Sequence, residues 1–173
     1  MIPDALTTSE NALCDTLADS QVFRELVGVE TYEDARAHVF IDDLAPPEGD
    51  SKTYQPGELA RRFLPYALVS TAEEGIVHKA VGFDSFLDSG KLTIAIDRRV
   101  PGDGDPMDRD WKRCIGRLLE DMLSVSGHSD QRAHLAIAKI HITAGPGRYV
   151  PAKEVVDGEL QRVQLSVEWG SDA

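Results

Sequence analysis

The chain has 173 residues, a formal net charge of −12 at pH 7 and two cysteines. A chain of this length can bury roughly two thirds of the surface that its unfolded form exposes, so we predict one domain over residues 1–173 that needs neither a disulfide nor a metal ion for stability. The acidity argues against sequence-specific binding of nucleic acid, which requires a basic surface, and because no apolar run approaches the roughly 18 residues of a membrane span, we expect no membrane segment.

The first third of the chain predicts a helix, a strand and a long loop. Thr7 and Glu10 have the spacing of a capping box, and apolar residues follow at helical intervals, so we predict a helix over residues 7–27. Alternating apolar and polar residues over 37–42 indicate a strand. Residues 45–58 contain three prolines, and we predict a long surface loop there.

The middle of the chain predicts a short helix over 58–63, followed by two strands. The first strand is expected to start at Pro65, because the residue before a proline disfavours helix. Residues 75–86 show no clear period. Over 90–97 the apolar residues Leu92, Ile94 and Ile96 alternate with others, which predicts the second strand.

The most regular segment is a helix over 108–125, with Gly127 where such a helix commonly ends. Its apolar residues recur at steps of four and three and form one stripe, so we predict a core contribution from Trp111, Ile115, Leu118 and Met122. Cys114 lies beside this stripe and Cys14 lies in the first predicted helix. We predict that both are free, buried thiols.

The end of the chain predicts two strands, over 135–143 and 160–169. Alternate residues of the second strand share one face, so we predict burial of Val163, Leu165, Val167 and Trp169. A long loop is predicted over 144–159, where Gly-Pro-Gly before Arg148 suggests a tight tip that presents this cation. Together the elements predict an α+β fold, with a single, mostly antiparallel sheet and two main helices packed on one face.

The sequence contains no recognisable reaction centre. The five histidines form no His-x-x-x-His or Glu-x-x-His pair and there is no Cys-x-x-Cys motif, so no metal site is predicted. Gly102 and Gly104 precede a helix, but the surrounding aspartates would repel phosphate. A Gly-x-Ser-x-Gly nucleophile motif is also missing. We therefore predict no catalytic residue and no cofactor, and expect that the protein is not an enzyme.

Because no reaction centre is predicted, we expect this chain to act by contact with other protein. Cationic and aromatic residues near predicted loops are the candidates for such contacts. They are Arg148, Tyr149 and Lys153 in the last loop and Arg61 and Arg62 in the short helix.

Several segments resemble a known family. They are Leu-Pro-Tyr-Ala-Leu-Val at 64–69, the strand at 92–96, the long amphipathic helix, and Val-Gln-Leu-Ser-Val-Glu-Trp at 163–169. In this order, after an N-terminal helix, a strand and a long loop, they resemble the tail-terminator and related minor tail or neck proteins of long-tailed bacteriophages. The resemblance covers most of the chain and lies in architecture and short segments.

The resemblance implies a subunit of a ring, usually of six copies, that joins the tail tube to the head connector. Its partners would be other copies of itself, tail-tube protein and connector protein, and it would reside in the virion tail after synthesis in the host cytoplasm. Residues 1–58 hold 13 Asp and Glu against 3 Lys and Arg, and an acidic lumen of such a ring would repel passing DNA instead of binding it. A monomeric acidic adaptor or regulatory domain that binds a protein partner is the alternative interpretation.

Overall fold

The computed structural model of the protein describes residues 5–46, 48–54, 58–80, 86–99, 109–125, 135–151 and 159–172. Its elements in chain order are α1 (Ala5–Asp19), α2 (Gln21–Val27), α3 (Tyr32–Arg36), β1 (Val39–Ile41), α4 (Glu58–Phe63), β2 (Tyr66–Ala80), β3 (Phe86–Arg99), α5 (Arg109–Val125), β4 (Leu135–Pro151) and β5 (Glu159–Asp172).

The five strands form one sheet in the order β1-β2-β3-β5-β4. β1 runs parallel to β2, and all other neighbours are antiparallel. The predicted α+β class with a single, mostly antiparallel sheet is confirmed. β1 and β4 form the two edges of this sheet, about 19 Å apart at the usual strand spacing.

One face of the sheet is buried beneath α1, α2 and α5. Residues paired directly across strands share a face, and in the row Ala67, Ile96 and Val163 all three are buried. α1 packs on β1 and β2, whereas α5 packs on α2 and on β4. The eight residues predicted for the core are all buried there: Trp111, Ile115, Leu118, Met122, Val163, Leu165, Val167 and Trp169.

The helix predicted over 7–27 is in fact two helices, because the chain breaks at Ser20. This residue has an extended backbone, and its hydroxyl accepts a hydrogen bond from the backbone N–H of Phe23 (3.2 Å), which caps the N-terminus of α2. The change of direction lets Phe23 bury completely. α2 ends at Gly28, whose φ of +76° lies in the left-handed region that favours glycine.

Replacing Ser20 with Ala should lower the free energy of unfolding by about 1–2 kcal/mol, since it removes a cap and a second bond. The Ser20 hydroxyl also donates to Asp121 Oδ2 of α5 (2.5 Å), and Ser20 is fully buried. Urea denaturation measures the change. Thr31→Ala is the matched control, because Thr31 caps α3 in an exposed position, and an equal loss from both variants would contradict the role of the α2–α5 bond.

The predicted loop over 144–159 is wrong in its first half, because β4 continues to Pro151. Gly145, Pro146 and Gly147 do not form a hairpin tip. They lie between the paired residues Ala144 and Arg148, where four steps along β4 match only two along β5. This bulge accommodates glycine and proline within an edge strand. Residues 152–158, which include Lys153, lie outside the described residues.

The other boundaries follow the predictions with two differences. The predicted strand over 37–42 shortens to β1, because Ala37 terminates α3, a helix that the apolar pattern did not indicate. The segment without a clear period belongs mostly to the hairpin of β2 and β3, with residues 81–85 outside the described part of the chain. α4 spans the predicted residues, while Gly127 also lies outside the described residues.

Candidate interaction surface

The face of the sheet opposite the core, here called the open face, is polar and half-buried. Ser70, Thr93 and Ser166 form one row across β2, β3 and β5, and each side chain is partly accessible. Leu68, Ala95 and Gln164 form the next row with the same intermediate exposure. A sheet face of this kind is accessible to another protein across several strands.

The helices are too short to match the length of the strands. At 1.5 Å per residue, the 17 residues of α5 extend about 26 Å, whereas the 14 residues of β3 extend about 46 Å at roughly 3.3 Å each. Part of the sheet therefore lies beyond α5, whatever the angle between them.

A buried ion pair lies at one end of the open face. The carboxylate of Asp97 is fully buried, and it accepts two hydrogen bonds from Arg162, from Nε to Oδ1 (2.6 Å) and from Nη2 to Oδ2 (2.7 Å). The hydroxyl of Tyr66 donates to the same Oδ2 (2.9 Å). The three residues are paired directly across β2, β3 and β5, so the strand register itself brings them together.

The environment of this cluster favours the protonated forms of both donors. Burial, reinforced by the negative charge of Asp97, raises the pKa of the Tyr66 hydroxyl above its usual range. The hydrogen bonds to Asp97 raise the pKa of the Arg162 guanidinium. A bidentate arginine–carboxylate pair has a defined geometry, and here it holds the guanidinium of Arg162 at the open face, where 31% of the side chain remains accessible.

Two more arginines occupy positions around this pair. Arg99 is exposed and lies two residues beyond Asp97 on β3, hence on the same face. Arg148 of β4 is paired in register with Arg162. We call Arg99, Arg148 and Arg162 the arginine end of the open face.

Aromatic side chains of β1, β2 and α4 pack together on the β1 side of the row that contains Tyr66, Asp97 and Arg162. Phe40 lies between the rings of Phe63 and Tyr66, with centroids 4.9 and 6.4 Å away. His38 Nδ1 lies 3.0 Å from the carbonyl oxygens of Phe63 and Pro65, so this nitrogen carries a proton that it donates to them. These contacts attach α4 to the start of β2.

The predicted contact residues occupy two separate places. Arg148 and Tyr149 lie on β4 opposite Arg162 and Gln161, not at a loop tip. Arg61 and Arg62 lie on α4. Arg62 donates to the hydroxyl of Tyr54 (2.7 Å) and forms an ion pair with Asp50 (3.5 Å), although about half of its side chain is exposed. Arg62 therefore anchors the loop before α4.

The sequence analysis did not identify Asp97, Arg162 and Tyr66 as a cluster. Each residue lies in an alternating strand at a position that faces away from the core, where a polar side chain is ordinary. The alternating pattern places an aspartate on one strand and an arginine on another, both facing away from the core. It does not show that the two strands are neighbours, so only the strand order reveals the pair.

The described residues contain few other features that suggest chemistry. No group of three or more His, Cys, Asp or Glu among them is arranged to hold a metal ion. A shallow groove of about 370 Å³ lies between α2 and α5 and is lined in part by Gln21, Arg117 and Glu120. No helix in the described ranges has both the length and the apolarity needed to cross a bilayer.

Both cysteines are free, as predicted, but only Cys14 is fully buried, whereas Cys114 is partly accessible. Burial raises the pKa of the Cys14 thiol from 9.0 to about 12 and that of Cys114 in the same direction. A thiol that keeps its proton is a poor nucleophile. The structure therefore favours a packing role for Cys14.

No protein-family model matches the chain, and no curated protein matches its sequence.

Stability should fall at alkaline pH because four buried or partly buried acids have raised pKa values in the folded state. They are Cys14 and Tyr32, each raised to about 12, together with Cys114 and Tyr66. Groups of this kind stabilise the fold fully below their unfolded pKa, and the contribution is lost as pH rises toward the folded pKa. For Cys14 the loss begins near pH 9 and amounts to about 1.4 kcal/mol between about pH 8 and 10.

Urea denaturation at these two pH values measures the effect. Cys14→Ala should remove most of the difference between them, while Tyr32→Phe should act mainly above the unfolded tyrosine pKa of 10.0. An unfolding free energy that stays constant up to about pH 11 in the wild type would contradict this prediction.

Proposed function

We propose that this protein is a structural subunit that assembles with other copies of itself and acts by protein–protein contact. The single observation that carries the proposal is the open face, a polar, half-buried surface that spans several strands. On the opposite face of the sheet, α1 packs on β1 and β2, and α5 packs on β4. A polar sheet face with a fixed ion pair at one end suits contact with another protein.

The particular role that we propose is that of a ring-forming tail or neck protein of a long-tailed bacteriophage, similar to a tail terminator. The support is the order of elements and the resemblance of the segments at 64–69, 92–96 and 163–169, which form the ends and centres of β2, β3 and β5. In this role the protein would contact tail-tube and head-connector proteins and would use no cofactor. Ring closure requires two different patches on each subunit, joined head to tail.

Size-exclusion chromatography with light scattering, over a series of protein concentrations, tests self-assembly. We expect an oligomer whose mass grows with concentration to a closed value, and negative-stain electron microscopy should then show rings. A persistent monomer at the highest concentration would contradict the proposal and favour a monomeric acidic adaptor. The phage role has its own test, since portal, head-completion and tail-tube genes should flank the gene.

A further inference from the structure

We propose that α5 pairs antiparallel with α5 of a second copy, across a two-fold axis that passes close to Gly116. The contact surface is the outer stripe of α5, which we define as Lys112, Gly116, Leu119, Glu120 and Leu123. This contact goes beyond the proposed function, because a ring closes through head-to-tail contacts and a two-fold contact is of a different kind. The exposure, the shape and the charge order of one helix face support it.

The outer stripe lies directly beside the buried face of α5. Lys112, Gly116, Leu119 and Leu123 recur at steps of four, three and four, and each follows a buried residue of the helix. This spacing is typical of residues that meet a neighbouring helix. Leu119 is partly exposed and the other three are exposed, so the described part of the molecule leaves the stripe accessible.

Exposed apolar side chains occur on this side of the protein. Among the described residues, the exposed large hydrophobic ones are Leu123 of α5 (47%) and Ile142 of β4 (46%). Ile142 is paired directly with Leu165, which is fully buried, so both lie on the helix side of the sheet. α5 and β4 are in contact with each other. A second copy on the outer stripe would remove Leu123 from water, which favours association.

Gly116 has no function that packing within the described structure explains. Glycine inside a helix is less favourable than alanine, and a Cβ at Gly116 would meet nothing within 4 Å. What glycine permits is the close approach of another backbone. Helix axes that pack about 8–10 Å apart, with Cα atoms on a radius of about 2.3 Å, bring facing Cα atoms to about 3–5 Å, which leaves little room for a side chain.

The charges of the outer stripe are arranged symmetrically about Gly116. Lys112 lies four residues before it and Glu120 four residues after it, about 6 Å along the helix axis on either side. In an antiparallel pair centred on Gly116, Lys112 of each copy meets Glu120 of the other, so one contact contains two ion pairs. A parallel pair would join like charges. A staggered head-to-tail contact would form one ion pair and separate Gly116 from its copy.

Both charges are available for such a contact. Lys112 and Glu120 are exposed, and neither takes part in an ion pair within the ranges that the structure describes. Arg113 and Arg117, by contrast, each have a carboxylate partner in the same subunit. Lys112 also lies in the first turn of α5, where the helix dipole disfavours a cation. Antiparallel pairing places this cation beside the C-terminal half of the partner helix, which the dipole favours.

Disulfide formation by single-cysteine variants tests the two-fold axis. The background is Cys114→Ala, because Cys114 is partly accessible whereas Cys14 is buried. Gly116→Cys places a thiol at the axis, where the two Cα atoms should come within the roughly 4.4–6.8 Å that a disulfide spans. Lys112→Cys is the matched control on the same stripe, since its two copies would lie about 12 Å apart along the helix axis. Non-reducing gel electrophoresis after addition of oxidised glutathione measures the crosslinked dimer.

We expect Gly116→Cys to crosslink about tenfold or more faster than Lys112→Cys, because proximity accelerates the reaction. An equimolar mixture of Lys112→Cys and Glu120→Cys should also crosslink, since these positions face each other in the antiparallel pair. Equal rates for Gly116→Cys and Lys112→Cys would overturn the inference, because only a two-fold contact brings a residue onto its own copy.

Charge reversal in the full chain provides a second test, with sedimentation velocity over a concentration series as the measurement. Lys112→Glu and Glu120→Lys should each self-associate about tenfold more weakly than the wild type, which corresponds to about 1.4 kcal/mol, since each creates two contacts between like charges. The double variant Lys112→Glu/Glu120→Lys should recover association, because the exchange restores opposite charges. Glu30→Lys is the matched control, an exposed carboxylate outside α5 with the same change of net charge as Glu120→Lys. Circular dichroism confirms the fold of each variant.

Single variants that associate like the wild type, or a double variant that does not recover, would overturn the inference. An oligomeric wild type would then leave the proposed assembly intact. A wild type that stays monomeric at the highest concentration would contradict both.

Discussion

Replacing Arg162 with Leu should lower the free energy of unfolding by about 3–5 kcal/mol, one of the two largest effects that we expect for a single change. The reason is the burial of its partner. Asp97 has no accessible surface, and its carboxylate receives two of its three described hydrogen bonds from Arg162. Without the guanidinium this charge stays buried with one remaining donor, the Tyr66 hydroxyl. Unfolding in guanidinium chloride or in urea, monitored by circular dichroism, measures the loss of unfolding free energy.

Replacing the other member of the ion pair, Asp97, provides a comparison. Asp97→Asn removes the buried charge and keeps a polar group of the same shape, and Arg162 can still reach water because part of its side chain is accessible. We therefore expect a loss of about half that of Arg162→Leu, and the double variant should be more stable than Arg162→Leu alone. Equal losses from the two single variants would show that the buried charge is not the dominant factor. Tyr66→Phe, which removes one neutral donor, should cost about 1–2 kcal/mol.

Replacing Trp111 with Ala should cost about 3–5 kcal/mol. Only 1% of Trp111 is exposed, so its removal leaves a large cavity between α5 and the sheet. The guanidinium carbon of Arg98 lies 4.2 Å from the centre of the Trp111 ring, and this cation–π contact would be lost as well. The urea midpoint gives the change in stability.

Two controls test that the cost comes from packing. Trp111→Phe should cost less than Trp111→Ala, because the indole N–H has no hydrogen-bond partner in the described structure and a ring remains beneath Arg98. Leu123→Ala on the outer side of the same helix should change stability by no more than about 0.5 kcal/mol, since 47% of Leu123 is exposed. A loss for Leu123→Ala as large as that for Trp111→Ala would contradict burial as the cause, because alanine has the highest helix propensity and does not weaken the helix itself.

The predictions for α5 and β5 rested on strict periodicity and agree with the structure, whereas the loop tip predicted from Gly145, Pro146 and Gly147 does not. The stripe on α5 and the alternation on β5 each specify which side faces the core, because a helix and a strand have fixed side-chain periods. Apolar residues continue on both sides of Ser20 without a break. The apolar pattern therefore did not reveal the division into α1 and α2. Gly-Pro-Gly before Arg148 has the composition of a turn, yet the pairing of β4 with β5 continues through it as a bulge.

The sequence by itself determined the α+β class, the elements α4, α5 and β5 and the apolar face of β3 and of β5, because these depend on local period and on the preference of apolar groups for the interior. Only the tertiary structure decided which strands are neighbours. The meeting of Asp97 with Arg162 and the placement of Arg148 beside them both follow from the order β1-β2-β3-β5-β4. That order arises from contacts between residues far apart in the chain, and a local pattern carries no information about such contacts.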